Sequence, residues 1–392
     1  MRTVIRAVAL VSAAVAACSA GVPTADVPTD AALVLWNGTL IDGTGEAPIR
    51  DGVLAIGSDG SIVAVGRRGG REFPEGATVV DVQGATILPG FIDAHVHNAF
   101  SARSLAAWAQ AGVTTVRDEA INSGTALDGS LLAQRAAWSE PQYSRLLSAG
   151  WIISPPGGYG RLHVSSAAEA RQAVADEIAL GVDLIKVAVE DGTAGRTDLP
   201  VLSTEALAAA VAAAHERGKR VSAHVTDARF LQAVVDAGVD DVAHVTWDAV
   251  SDATYRRMIG RHIPMVPTLT VLEPYGALPT AQSNLRRFVA LGGTVALGDD
   301  FGGVPQSVSP HFQLGMPMPE ILWMAEAGMT PMQIIVAATR NAASVCGLGA
   351  ELGTLEIGKT ADVLVVNGDP LQDLNVLTNV RLVIHRGVVI RD

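Results

Sequence analysis

Between residues 87 and 299 the chain keeps returning to one pattern, a short apolar segment followed by a longer Ala-rich stretch. The apolar segments fall at 87–97, 113–118, 146–153, 184–189, 220–225, 241–245, 264–268 and 294–299, and read as strands. Stretches such as 166–180, 204–217 and 227–237 carry helical spacing and are long enough to cross over between parallel neighbours. Eight such units over about 260 residues are what a (β/α)8, TIM-like barrel requires. Few other architectures accommodate them. The expected fold class is therefore α/β.

The two ends have a different texture. Residues 33–38, 52–56 and 61–66 near the start, and 361–366 and 380–390 near the finish, are β-branched runs closed by Gly, Asp or Asn. Neither group has enough strands to cover its own faces, so one small β-sandwich assembled from both ends is expected. That gives a sandwich of residues 31–86 plus 353–392 around a barrel of 87–352. A chain of 392 residues that is 49% hydrophobic can bury both.

The first residues look like a targeting segment. Arg2 and Arg6 precede an Ala/Val/Leu-rich run ending in Val15-Ala16-Ala17-Cys18. A basic start, a short apolar run and small residues at its end read as an export signal over 1–18. The ending also resembles a lipobox, which would leave Cys18 as an acylated N-terminus, with 19–30 as a tether. The expected location is the cell envelope outside the cytoplasm, held to a membrane by lipid. Cys18 and Cys346 are the two cysteines, and no disulfide is expected. A formal charge of −12 without a basic run argues against nucleic acid as a partner.

In a barrel of this kind reactive groups stand at the carboxyl ends of strands. His95 and His97 end the first apolar segment, one residue apart, and so leave the same face of an extended strand. Later segments end in or carry Lys186, His224, His244 and Asp299 or Asp300. Imidazoles and a carboxylate drawn to one rim could hold a metal. Lys186 is one of three lysines and sits in the apolar run Leu184-Ile185-Lys186-Val187. A buried amine tends to lose its proton, and a neutral amine captures CO2 as a carbamate with two oxygens to offer. The plainer alternative is an ion pair with Glu190 or Asp183.

These residues, with Ala111-Gly112-Val113-Thr114-Thr115-Val116-Arg117-Asp118, Pro267-Thr268-Leu269 and Leu352-Gly353-Thr354-Leu355-Glu356-Ile357-Gly358-Lys359, make the chain resemble the amidohydrolase superfamily, in its imidazolonepropionase-like and Xaa-Pro dipeptidase-like branch. The resemblance spans residues 32–392. It implies two divalent ions, with zinc suited to the donors. His95 and His97 would bind the more buried ion together with Asp300, His224 and His244 the other, and carboxylated Lys186 would bridge them. Asp300 would also be the catalytic acid and base, with Asp299 the alternative because Gly298-Asp299-Asp300 stands where relatives read Gly-Thr-Asp.

The implied reaction is hydrolysis of a C–N amide bond in a small substrate, such as a dipeptide or N-acyl amino acid, by a hydroxide shared between the ions. A cyclic amide, lactone or carbamate would suit the same site. A non-catalytic lipoprotein that kept the fold is the remaining alternative. Loops after the third and seventh strands point to Tyr159, Arg161, His163 and Tyr275 as substrate-binding residues. The oligomeric state is open, a homo-oligomer included.

Overall fold

The computed structural model describes residues 24–121, 129–192 and 198–392. The expected export signal, with Cys18, lies outside the described residues. Of the expected tether, Thr24–Ala25 forms a short strand parallel to Arg67 and Arg68.

The chain ends build one nine-stranded mixed sheet. Thr86–Pro89 holds it together, pairing parallel with Ala31–Leu40 on one side and antiparallel with Val363–Val366 on the other. Alternation then sorts the side chains. Val363 and Val365 pack with Leu35, Leu54 and Ile87, whereas Leu364 and Val366 join the large core of the central body. Strand pairing thus joins both chain ends in one continuous ladder, as the expected composite of the two ends requires.

The expected first strand, 87–97, is two. It breaks at Gly90, whose N–H donates to the Asp362 carbonyl and where a Cβ would lie 2.4 Å from Thr114 Oγ1. Before the break the chain belongs to the terminal sheet. After it, Phe91–Val96 runs parallel to Val113–Asp118, which pairs with Arg145–Ser148. An unbroken apolar run hides this switch of sheets.

A second parallel sheet has the order Leu162–His163, Ile153–Ser154, Leu184–Ala188, Arg220–His224, Asp241–Ala243, Met265–Val266. The expected strand 146–153 is therefore also split between sheets. Its middle bonds elsewhere: Ala149 N–H donates to the Asp118 carbonyl, and Trp151 N–H to the Glu177 carboxyl. Ser148 accepts from Asp183 N–H at 2.8 Å, which links the two sheets on this side. On the far side, residues 294–301 form isolated bonds to Met265 and to Ala94, His95 and His97 instead of a strand ladder. Leu297 N–H is diverted to the Ala337 carbonyl.

The crossover helices lie where the spacing predicts them. Ala167–Leu180, Thr204–His215 and Ala228–Ala237 are capped by the side chains of Ser166, Ser203 and Asp227. The first and third end at Gly181 and Gly238 in the left-handed conformation. Leu231, Val234 and Val235 show the usual buried stripe. Among the described residues no helix is long and apolar enough to cross a membrane.

A buried charge network crosses the body. Arg117, on Val113–Asp118, forms two 2.9 Å bonds to Asp241 on the Asp241–Ala243 strand, and its Nε donates to the Ala94 carbonyl at 2.7 Å. The same Nε lies 2.7 Å from Glu119 Oε1, and Glu119 Oε2 lies 2.6 Å from Lys186 Nζ. Two arginine–carboxylate contacts and one lysine–carboxylate contact thus connect three strands from two sheets. Asp241→Ala would leave the guanidinium buried and half-paired, and is expected to destabilise the chain by about 3–5 kcal/mol in urea unfolding. A loss within 1 kcal/mol of zero would contradict this.

Glu177 gives a second test. Burial raises its carboxyl to about 8, against an ordinary 4.5. The folded state then holds a proton that the unfolded state releases, so this group's stability contribution is full below about 4.5 and falls as pH rises to about 8. Glu177→Gln should gain on the natural chain across that window, by at most about 1.4 kcal/mol per pH unit. Parallel urea-midpoint profiles at pH 5 and 8 would refute this.

Candidate metal centre

His95 is the penultimate residue of Phe91–Val96 and almost fully buried, and His97 follows the strand. Their Nε2 atoms are 3.3 Å apart. Asp300 Oδ1 lies 3.3 Å from the first and 3.0 Å from the second. Three backbone features permit this. Asp300 has φ +62°, a left-handed conformation that carries strain for a non-glycine residue. A Cβ at Gly303 would sit 2.3 Å from Asp300 Oδ1, and one at Gly298 would sit 2.7 Å from His95 Cβ. Asp299 turns away, accepting from Phe301 N–H and hydrogen-bonding Asp93.

His224 ends the Arg220–His224 strand and His244 follows Asp241–Ala243. His224 Nδ1 and His244 Nε2 are 2.9 Å apart. Hydrogen-bond direction settles which of these nitrogens carry protons. Glu190 Oε2, 2.7 Å from His224 Nε2, can only accept as a carboxylate, so that nitrogen donates. Thr268 Oγ1 donates to the Pro267 carbonyl and so accepts from His244 Nδ1. His244 Nε2 is left with a lone pair, and it faces His224 Nδ1 across 2.9 Å. His97 is fixed in the same way, its Nδ1 donating to the Ala120 carbonyl at 2.9 Å.

Ring nitrogens this close need a proton or a metal cation between them. Two nitrogens on a tetrahedral zinc ion, each about 2.0–2.1 Å from it, stand about 3.4 Å apart, close to what His95 and His97 show. Asp300 Oδ1 is buried without a hydrogen-bond partner. His95, His244 and Asp300 each offer an atom within 4.8 Å of the others, so the two pairs form one cluster. The residues present fit a divalent ion.

The electrostatics agree. Burial, then the Lys186 charge, lowers His95 to about 4. Burial, then His224, holds His244 well below the usual imidazole range. At His97 burial lowers the value, but Asp300 overrides it and the imidazole is raised. Burial would raise Asp300, yet the imidazoles of His95 and His97 keep its carboxyl well below the usual range. Asp300 is thus ionised, while His95 and His244 are neutral, the forms that bind metal.

Lys186 reaches this cluster but pairs with Glu119, with Ser222 Oγ at 3.3 Å, and not with Glu190 or Asp183. Glu119 is a buried acid that sequence reading passed over, and Glu190, weighed there only as a partner for Lys186, bonds His224 instead. Both follow the strands Val113–Asp118 and Leu184–Ala188, the same position that singled out the histidines.

A cavity of about 100 Å³ opens beside the histidines, walled by Ile152, Val271, Leu272 and Val304, with Tyr159 and Tyr275 at its edge. Tyr159 stacks on the His224 ring at 4.1 Å between centroids. An adjoining pocket of about 250 Å³ shares Tyr159 and carries Arg161. His163 is exposed and lines neither space. A roomier groove beside Thr44, Thr330 and Arg340 has no histidine or acid in its lining.

Residues 86–390 match the family model described as "Amidohydrolase family". The chain is 28% identical to ochratoxinase of Aspergillus niger over 421 residues, covering 90% of this chain and 84% of that protein. It is 28% identical to imidazolonepropionase of Symbiobacterium thermophilum, covering 82% and 85% of the two. The solved structure of a Xaa-Pro dipeptidase with methionine in its active site superposes with a TM-score of 0.79 at 24% identity, covering 92% of this chain and 100% of that one. Such likeness implies an α/β, TIM-like barrel carrying a β-sandwich domain. The chain belongs to the amidohydrolase family.

Proposed function

We propose that this chain is a metal-dependent hydrolase that cleaves a C–N amide bond in a small substrate, a dipeptide or N-acyl amino acid. The observation that carries the reading is the convergence of His95, His97 and His244 ring nitrogens on the buried Asp300 Oδ1, with His224 Nδ1 2.9 Å from His244 Nε2. In this reading residues 294–301 and the two parallel sheets act as one (β/α)8 barrel with the cluster at its rim. His95, His97 and Asp300 would hold one divalent ion, His224 and His244 a second, with zinc suited to nitrogen and oxygen donors. Bound there, such ions polarise a carbonyl and make water a nucleophile at neutral pH.

The chain's own residues supply the rest. Asp300, ionised and central, accepts the proton of the attacking water and delivers it to the departing nitrogen. Lys186 would bridge the ions as a carbamate. That change replaces an ammonium by an anion next to Glu119, and Arg117 Nε, 2.7 Å from Glu119, keeps the acid compensated. The apolar walls of Ile152, Val271, Leu272 and Val304 keep bulk water from the cluster. Arg161, in the lining of the outer pocket, would meet a substrate carboxylate. The name of ochratoxinase and the dipeptidase structure place related proteins among hydrolases of small molecules, which supports the substrate size.

Metal analysis followed by incubation with pooled dipeptides, their C-terminal amides, N-acyl amino acids and lactones tests the reading. Turnover of dipeptides or N-acyl amino acids, with the free carboxylate preferred over its amide, is expected. Turnover of lactones or cyclic amides alone would favour ester or ring opening at the same site. A preparation without bound metal, and with no activity after zinc is added, would leave the non-catalytic lipoprotein. Lys186→Ala should empty at least one ion site and abolish turnover, and Asp300→Asn should lower kcat by about 10²–10⁴-fold. Retention of metal and activity by either variant would contradict its role.

Export and lipid attachment at Cys18 complete the proposal, resting on the basic start and the Val15-Ala16-Ala17-Cys18 ending. Cys18→Ala should move the protein from the membrane fraction to the soluble one. An unchanged distribution would remove the anchor.

A further inference from the structure

Glu190 is 2% exposed and follows the Leu184–Ala188 strand that also carries Lys186. One of its oxygens, Oε2, receives Thr226 Oγ1 at 2.5 Å and lies 2.7 Å from His224 Nε2. His224 ends the neighbouring strand, in register with Ala188, and its ring is covered on one face by Tyr159. Three restraints therefore act on one imidazole: the strand end sets its Cβ, Tyr159 sets its plane, and Glu190 selects the nitrogen that bears hydrogen. Without Glu190 the ring is free to place its proton on Nδ1, which would aim an N–H at His244 Nε2 and close the gap to a cation.

We propose that Glu190, held by Thr226, is the positioning residue of the second ion site, fixing His224 in the Nε2–H tautomer so that Nδ1 is a metal ligand. This rests on the metal-dependent reading above. Carboxylates behind metal-bound imidazoles orient the ring and increase its basicity, and their loss weakens metal binding by about 10–100-fold. Thr226 acts one bond further out. Its hydroxyl donates to the oxygen that faces His224, which steadies that oxygen against rotation.

Two measurements separate this proposal from the reading beneath it. In the metal-free natural protein, ¹⁵N NMR of the histidine rings should show His224 protonated at Nε2, and Glu190→Ala should shift it toward the Nδ1–H form. In calorimetric zinc titration the natural chain should bind two ions. Glu190→Ala should weaken one of them by about 10–100-fold and leave the other unchanged. Glu190→Gln, whose amide oxygen still accepts from Nε2–H, should recover part of that loss, and Thr226→Val should weaken the same ion severalfold. The two milder variants also serve if Glu190→Ala does not fold. Unchanged affinities in the Glu190→Gln and Thr226→Val proteins, or equal loss at both sites, would overturn the proposal. If the natural chain binds no zinc, the metal reading fails by itself, and the tautomer measurement still decides what Glu190 does.

Discussion

The buried guanidinium of Arg117 is the constraint on which the rest depends. It ties the Val113–Asp118 strand to Asp241 on the other parallel sheet, and donates to Ala94 on the strand that delivers both first histidines. A charge this deep is not a strong source of stability, because desolvation offsets most of its attraction. What it provides is register. A bidentate arginine–carboxylate pair tolerates little displacement, so two sheets linked elsewhere by isolated backbone bonds are held in one alignment. Glu119 extends the same network to Lys186, which carries the constraint from the interior to the cluster at the rim.

The chemistry follows from that alignment. Strand ends contribute short, stiff imidazoles whose outer nitrogens are occupied by Ala120, Glu190 and Thr268. The Nε2 atoms of His95 and His97 converge on Asp300, whose approach depends on the room left by Gly298 and Gly303 and on its own left-handed turn. The site is thus preorganised by groups that never touch a substrate.

Much of this was legible in the sequence. The spacing of His95 and His97, the strand-end positions of His224 and His244, and the helices over 167–180, 204–215 and 228–237 follow from local periodicity, whereas Lys186 lies in mid-strand. What periodicity cannot show is a change of partner within one apolar run. The break at Gly90 is invisible to it because both halves are equally buried, and the split of 146–153 falls inside one continuous apolar run. The Arg117–Asp241 and Lys186–Glu119 pairs join residues 124 and 67 positions apart, so no local signal marks them. Register against the family motif favours Asp300 over Asp299, and in the structure Asp300 Oδ1 faces His95 and His97 while Asp299 accepts from Phe301 N–H. His163 fell on the exposed edge of a two-residue strand, where loop position alone says nothing of direction.

The most direct test of the central claim is an anomalous difference map from crystals grown with zinc. The account predicts two peaks, one among His95, His97 and Asp300 and one between His224 and His244, with continuous density joining Lys186 to both. A map with no peak within bonding distance of those six residues would contradict it.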